Sequence, residues 1–204
     1  MPPNKLRIAI ITSDQYGTAA HHLPYLYKNQ DVDICAVIYC TNTGIKTNYK
    51  KKLKKVFRIG LLGALNGIRM RKWFTSDVDL LLKTDSVVNF CSQHQIPYFE
   101  TPKLNSKITL NQLIECQPDV GISLGNSYIS EKIFNAPKEG MINIHHEILP
   151  EYQNAQSIIW QIYNSSKFSG YTIHKIVDNK MQILYMNEKS EVVYKFDLSQ
   201  KRNI

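Results

Sequence analysis

An amide and an imidazole two residues apart, Asn143 and His145, are the side chains in this sequence best suited to acyl transfer. They alternate with Met141, Ile142 and Ile144 in a short apolar run that predicts a β-strand. Side chains two apart in a strand point to the same side, so we expect Asn143 and His145 to share one pocket. The amide could donate to an oxyanion while the imidazole, which titrates nearest neutral pH, takes the proton of an attacking amine. The same spacing also fits an Asn and a His that satisfy turn backbone.

A longer match surrounds this pair. Residues 143–155 read Asn-Ile-His-His-Glu-Ile-Leu-Pro-Glu-Tyr-Gln-Asn-Ala, and Gly170-Tyr-Thr-Ile-His-Lys follows. These stretches resemble the folate-dependent formyltransferases, which commonly read Asn-x-His-Pro-Ser-Leu-Leu-Pro-x-Tyr-Arg-Gly-Ala and then Gly-x-Thr-x-His. The resemblance covers residues 5 to 186 and is densest between 119 and 175. It implies that Asn143 and His145 are catalytic, that 10-formyltetrahydrofolate donates the formyl group, and that no metal is needed.

The resemblance is incomplete at a third catalytic position. The family carries an Asp in an Asp-x-Gly segment shortly after the Thr-x-His strand, whereas this chain reads Ile176-Val-Asp-Asn-Lys-Met-Gln. The expected Asp falls at Met181, which leaves Asp178 as the only nearby substitute. Two milder departures are His146-Glu147 in place of Pro-Ser and Gln153-Asn154 in place of Arg-Gly. We therefore expect either that Asp178 supplies the carboxylate or that the fold binds folate or a nucleotide sugar without turnover.

A second candidate site is the stretch Leu124-Gly-Asn-Ser-Tyr-Ile, which lies at the carboxyl end of a predicted strand at 119–125. Open α/β sheets bind their ligands at the carboxyl ends of strands. The resemblance implies that this loop contacts the pterin of the donor through backbone groups, with Leu124, Gly125, Asn126 and Tyr128 as the candidate residues. A plain strand-to-helix turn would use the same residue types.

The resemblance also suggests the acceptor by elimination. Methionyl-tRNA formyltransferases carry a carboxy-terminal tRNA domain, and we expect none in a chain of 204 residues. Glycinamide ribonucleotide formyltransferases have a Gly-Ser-Asn phosphate loop after the first strand, where this chain has Ser13-Asp-Gln-Tyr-Gly-Thr. The sugar N-formyltransferase branch remains, with nucleotide-linked amino sugars for surface polysaccharides as acceptors. We expect a small-molecule substrate, a homodimer and no nucleic-acid partner.

Alternating strand and helix patterns position these candidates. The apolar runs Leu6–Thr12 and Val32–Cys40, with a helix from about Thr18 to Asn29 between them, predict a βαβ unit. The following patterns predict helices at 77–94, 105–116, 130–134 and 155–163, and strands at 96–100, 119–125, 141–145 and 171–176. Gly17 fits a turn glycine or a ligand-facing one. The fold class is therefore α/β.

In detail, we expect a Rossmann-like, mostly parallel sheet flanked by helices, as in the formyltransferase fold, with a short C-terminal β extension. The extension would contain two strands, at 183–186 and 192–196. We expect a catalytic domain over residues 1–186 and a short strand and tail over 187–204.

Composition limits the alternatives. The hydrophobic content of 43% and charged content of 21% are ordinary for a soluble globular protein. The sequence has no apolar run of about 18 residues and no signal-peptide core, so we expect a cytoplasmic protein without a membrane span. Cys35, Cys40, Cys91 and Cys116 lack metal-ligand spacing. We expect Cys35 and Cys40 to be reduced and buried, and we assign neither zinc nor disulfides.

Positive charge is concentrated between residues 46 and 72, which hold ten of the 25 Lys and Arg residues around an apolar stretch, Ile59–Ile68. A solvated basic face is the commonest explanation of such a run. The segment also fits a site for substrate phosphate, here the diphosphate of a nucleotide sugar. A third possibility is an amphipathic segment packed on the core or lying on an anionic surface, and nucleic acid is a fourth.

Overall fold

The computed structural model describes residues 5–41, 84–126, 128–145, 168–177 and 182–191, with separate positions between 53 and 69 and between 161 and 166. Within these residues, seven strands form one sheet in the order β3-β2-β1-β4-β5-β6-β7. The strands are β1 (Leu6–Thr12), β2 (Val32–Cys40), β3 (Tyr98–Thr101), β4 (Val120–Leu124), β5 (Met141–His145), β6 (Phe168–Lys175) and β7 (Gln182–Glu191). β1 to β5 are parallel, and β6 and β7 are added antiparallel. The predicted α/β class is confirmed.

Helices cover both faces of the sheet. They are α1 (Thr18–Lys28), α2 (Val87–Gln93), α3 (Lys107–Cys116) and α4 (Glu131–Phe134). α1 and α2 pack on one face, where Leu23 and Cys91 meet Ile8 and Ile10 in a buried cluster. α3 and α4 pack on the other face against Ile11 and its neighbours. Strands covered on both sides need apolar residues at nearly every position, which explains the continuous apolar runs of β1 and β2.

Serine caps set the starts of two helices later than the sequence patterns predicted. α2 starts at Val87 because Ser86 accepts a hydrogen bond from the Asn89 amide at 3.2 Å. The helix was predicted to start at residue 77. Residues 84–86 are not helical, so the prediction is wrong for these three residues. Residues 77–83 lie outside the described residues. α3 starts at Lys107 because Ser106 accepts from the Thr109 amide at 3.3 Å.

The other predicted helices agree within the described residues. α1 ends at Lys28, one residue earlier than predicted, with Asn29 as its C-cap. α4 starts at Glu131, one residue later than predicted; Ser130 takes the N-cap position, but its side chain makes no capping bond. Of the helix predicted at 155–163, only residue 161 is described, and it is helical.

A bulge in β2 changes which side chains face which helices. Ile8 of β1 pairs with Ile34, and Ala9 pairs with Ala36, so Cys35 is an extra residue in the ladder. The Cys35 thiol donates to the Ile8 carbonyl at 3.2 Å. Cys35 and Ala36 therefore both face the α3 side. Cys35 and Cys40 are buried, as predicted.

Two antiparallel strands, β6 and β7, continue the sheet beyond β5. β6 begins at Phe168, three residues before the predicted start, and pairs with β5. β7 is one strand of ten residues that continues to Glu191. The second predicted strand of the extension, 192–196, lies outside the described residues. The predicted domain division at residue 186 stays a prediction.

The strand order creates a switch point between β1 and β4. From β1 the chain moves outward through β2 and β3, then returns to place β4 on the other side of β1. In open α/β sheets, such a reversal leaves a crevice at the carboxyl ends of the two strands. The segments that reach this edge are Ser13 after β1, Gly125 after β4 and the end of β5.

Candidate functional site

Asn143 lies in the middle of β5 and is half-buried. It stands opposite His174 of β6 in the antiparallel register. Its side-chain nitrogen Nδ2 is 3.2 Å from Nε2 of His174. The contact thus joins β5 and β6 through two polar side chains that are 31 residues apart in the sequence.

The contacts of His174 define which ring nitrogen carries the proton. An amide NH2 group only donates, so Nε2 must accept from Asn143. The other nitrogen, Nδ1, lies 3.3 Å from the Lys175 carbonyl, which only accepts. The tautomer that fits both contacts carries its proton on Nδ1.

The remaining catalytic candidates are described only in part. The backbone of His145 pairs with Thr172 at the end of β5, and nothing further is described for its side chain. Asp178 and the motif residues 146–160 lie outside the described residues. Their predicted roles, and the predicted sharing of one pocket by Asn143 and His145, stay predictions.

Asn126 connects the loops after β1 and β4. Its Nδ2 donates to the Ile11 carbonyl at 2.6 Å and to Ser123 Oγ at 3.1 Å. Its Oδ1 accepts from Ser13 Oγ at 2.8 Å. Both N–H groups and the carbonyl of the side chain are thus used inside the protein. These contacts fix the Asn126 side chain against β1 and β4, and its predicted contact with a ligand stays a prediction.

The other residues of this loop differ in what they present. Leu124 is fully buried at the end of β4. Gly125 is exposed with φ of +71°, and among the described residues a Cβ there would meet nothing within 4 Å. Tyr128 is 75% exposed, and its carbonyl accepts from Asn105 Nδ2 at 2.9 Å. The loop therefore offers open backbone at Gly125 and an exposed ring at Tyr128.

The turn after β1 holds a carboxylate at the start of α1. Oδ1 of Asp14 accepts from the Tyr16 amide at 3.0 Å, forming an Asx turn. A Cβ at Gly17, the N-cap of α1, would lie 2.5 Å from Oδ2 of Asp14. Gly17 is thus a close-approach glycine, which favours the turn reading over a ligand-facing one. The anion-binding position at this helix start already faces a negative charge.

A chain of hydrogen bonds that sequence reasoning missed supports the same turn. Gln15 accepts from the Val88 amide at 3.1 Å and donates to the Tyr98 hydroxyl at 2.8 Å. Tyr98 in turn donates to Glu100 at 3.1 Å. Burial raises the pKa of Tyr98 to about 12, against the lowering effect of the Gln15 contact. Because these partners are far apart in sequence, no local signal predicts the chain.

Three of the cysteines, Cys35, Cys91 and Cys116, are poor nucleophiles. Burial raises the pKa of the Cys35 and Cys91 thiols to about 11 and also raises that of Cys116. Such thiols stay protonated at neutral pH. Among the described residues, no three His, Cys, Asp or Glu side chains lie close enough together to hold a metal ion. None of the described helices has the length and apolar content needed to span a bilayer.

A cavity of about 400 Å³ lies at the amino ends of the parallel strands, next to Val32 and Pro97. Its wall includes Tyr27 and His94, whose ring centroids are 4.4 Å apart. Asn143 and Gly125 belong to the opposite edge of the sheet, so this cavity is not part of the candidate site.

Sequence comparison finds relatives for part of the chain. The bifunctional polymyxin resistance protein ArnA of Wigglesworthia glossinidia brevipalpis is 31% identical over 85 residues, which are 41% of this chain and 13% of that protein. The methionyl-tRNA formyltransferase of Thermotoga maritima is 33% identical over 86 residues, 42% of this chain and 28% of that protein. The chain thus matches less than a third of the length of either relative.

Comparison with solved structures extends over nearly the whole chain. Phosphoribosylglycinamide formyltransferase from Bacillus halodurans superposes with a TM-score of 0.59 at 18% identity, covering 93% of this chain and 81% of that one. A formyltetrahydrofolate deformylase from Pseudomonas syringae pv. tomato gives 0.57 at 16% identity, covering 93% and 52%. At these identities the likeness concerns the fold. The family model for formyl transferase matches residues 6–182, and the chain therefore belongs to the formyl transferase family.

Proposed function

We propose that this protein is an N-formyltransferase that moves a formyl group from 10-formyltetrahydrofolate to the primary amine of a nucleotide-linked amino sugar. The observation that carries the proposal is the Asn143–His174 contact in a chain of the formyl transferase family. The contact uses one N–H of the Asn143 amide among the described contacts, which leaves the second for a ligand. A donor held in this way is preorganised to bind an oxygen that gains negative charge.

The chemistry divides between two side chains of β5. The Asn143 amide donates to the formyl oxygen as the amine attacks and negative charge develops there. His145 takes the proton that the amine must lose. The bond between the formyl carbon and N10 of the donor then breaks, and tetrahydrofolate leaves with a proton on N10. Asp178 is proposed to orient the His145 imidazole, the role that the missing Asp-x-Gly residue would have. If no carboxylate reaches His145, the loss of an orienting group lowers the rate by several powers of ten.

The donor is proposed to bind at the loop after β4. Gly125 supports this role because its backbone is exposed and no described atom lies within 4 Å of the place that a Cβ would take. Leu124 contributes backbone only, since its side chain is buried, and Tyr128 offers an exposed ring for contact with the pterin. Asn126 fixes the loop against β1 through three hydrogen bonds.

The class of acceptor substrate is proposed from the residues of the turn after β1. A ribonucleotide phosphate bound at the start of α1 would approach the Asp14 carboxylate, and like charges at short range repel. This disfavours a glycinamide ribonucleotide acceptor and supports the sugar branch. The protein is further proposed to work in the cytoplasm as a homodimer.

The decisive experiment measures formyl transfer from 10-formyltetrahydrofolate to a dTDP-linked 3- or 4-amino sugar. The protein is compared with Asn143→Ala, His145→Ala and Asp178→Asn. Lys138→Ala serves as the control because the Lys138 side chain is exposed, precedes the amino end of β5 and faces Asp119, outside the proposed site. We expect turnover in the unchanged protein, a loss of about 100-fold or more in the Asn143 variant, and near-normal turnover in the control.

The outcomes separate the alternatives. Turnover that is lost in all three site variants supports the proposed roles. Turnover that survives Asp178→Asn assigns the carboxylate role to another residue. Absence of turnover, with saturable binding of folate or of the nucleotide sugar, supports a catalytically impaired formyltransferase fold, and absence of both rejects the proposal.

A further inference from the structure

The segment 46–72 carries all of the excess positive charge. Its ten Lys and Arg residues are accompanied by no Asp or Glu. The rest of the chain has 15 Lys and Arg residues against 17 Asp and Glu residues, a net charge of −2. Charge is therefore distributed unevenly along the sequence: one segment is strongly basic, and the rest of the chain is slightly acidic.

The described positions of this segment are helical, and all of them are exposed. Large apolar side chains are among them, and Phe57 and Leu62 are each 83% exposed and Ile68 is 67% exposed. Gly60, near the middle of these positions, has a φ of +73°. Before it, Leu53, Val56 and Phe57 have the spacing of one helix face; after it, Leu62, Leu65 and Ile68 recur every third residue. The core thus does not cover these faces.

We propose that the exposed helical positions described between Leu53 and Arg69, which further Lys and Arg residues flank in the sequence, dock the protein on an anionic lipid bilayer. A basic helical segment with exposed Leu, Ile and Phe lies in the plane of the interface, where its apolar side chains enter the acyl boundary and its cations meet lipid phosphates. The apolar side chains distinguish this partner from the others. Double-stranded RNA or a substrate diphosphate would be bound by the cations and would leave Phe57, Leu62 and Ile68 in water.

Vesicle flotation with the full chain tests the proposal. The probes are vesicles of phosphatidylcholine alone and vesicles of phosphatidylcholine mixed with phosphatidylglycerol, at low and high salt. The double variant Phe57→Ser/Leu62→Ser keeps every charge, while Lys54→Gln/Arg58→Gln keeps every apolar residue. The matched control is Ile108→Ser/Ile114→Ser, which removes two half-exposed apolar side chains from α3. Circular dichroism checks that each variant is folded.

We expect binding to the anionic vesicles that weakens with salt, and much weaker binding to phosphatidylcholine alone. The apolar variant should lose affinity by roughly tenfold or more, the charge variant should also lose affinity, and the control should not. Lack of vesicle binding, or binding unchanged by Phe57→Ser/Leu62→Ser, overturns the proposal. Binding of a double-stranded RNA hairpin without vesicle binding assigns the segment to nucleic acid instead. The measurement needs no substrate, so its result is independent of the proposed formyl transfer.

Discussion

The amide of Asn143 is held by His174 across the β5–β6 pair, with 3.2 Å between Nδ2 and Nε2. Directly opposite residues in antiparallel strands have their Cβ atoms about 5 Å apart, so the contact requires little adjustment of either side chain. The orientation of a proposed catalytic amide is thus set by the protein before any ligand binds.

Replacing His174 should disturb this orientation without removing the amide. In His174→Leu, the half-buried Asn143 donor loses its acceptor, which should lower the free energy of unfolding by about 1–2 kcal/mol. We expect kcat for formyl transfer to fall roughly tenfold, less than for loss of the oxyanion donor itself, with KM for both substrates nearly unchanged. His174→Gln supplies a carbonyl acceptor and should restore much of kcat. Equal loss in both variants would contradict the positioning role.

Removing the Asn126 side chain should separate the loops after β1 and β4. Asn126→Ala deletes the contacts to Ile11, Ser13 and Ser123, and we expect the free energy of unfolding to fall by about 2–3 kcal/mol. Asn126→Asp should also destabilise the protein because a carboxylate would face the Ile11 carbonyl. Urea denaturation measures the loss. Asn105→Ala, whose more exposed side chain ties Tyr128 and Ser130, should cost less, and an equal cost would argue against a special role for Asn126.

Gly17→Ala should be destabilising because of Asp14 and not because of backbone strain. The φ of Gly17 is −84°, which other residues adopt, but an added Cβ would lie 2.8 Å from Cγ of Asp14. We expect a loss of about 1–2 kcal/mol in the free energy of unfolding. A double-mutant cycle with Asp14→Ala should show coupling, since the second change removes Cγ and the carboxylate oxygens. Additive losses would show that the contact is not the cause.

Alkaline pH should destabilise the protein partly through Cys91. This thiol is fully buried, and burial raises its pKa from 9.0 to about 11. The folded state therefore keeps a proton that the unfolded state loses, so the stabilisation is complete below pH 9.0 and is lost as the pH rises through about 11. The contribution is about 2–3 kcal/mol.

Urea denaturation of Cys91→Ala between pH 8 and 11 isolates this effect from the titration of other groups. The variant is expected to be less stable at pH 8 because of the cavity, yet to lose less stability on going to pH 11. A pH dependence identical to that of the unchanged protein would exclude Cys91 as a contributor.

The sheet was predictable because its signals are local. β1 and β2 are near-continuous apolar runs, and Gly125 marks the end of β4 with a residue that tolerates positive φ. The late start of α2 shows that apolar periodicity alone does not predict where a helix begins. Apolar residues recur from Val78 onward, but the Ser86 cap decides where the helix begins.

The contacts within the candidate site were not predictable because they join distant residues. Asn126 bonds Ser13 across 113 positions, and Gln15 bonds Tyr98 across 83. The pairing of Asn143 with His174 follows only from the β5–β6 register. The Asp14 turn is the exception, since an Asp followed by an amide two residues later is a local signal that the sequence contains.

The antiparallel position of β6 also fixes when the site can be completed during synthesis. β1 to β5, which include the switch point and Asn143, are all made before residue 146. The partner that orients Asn143 is added only when β6 emerges and folds back on β5, later in translation. A nascent chain can therefore assemble its parallel sheet first and acquire the oriented amide as one of its last steps.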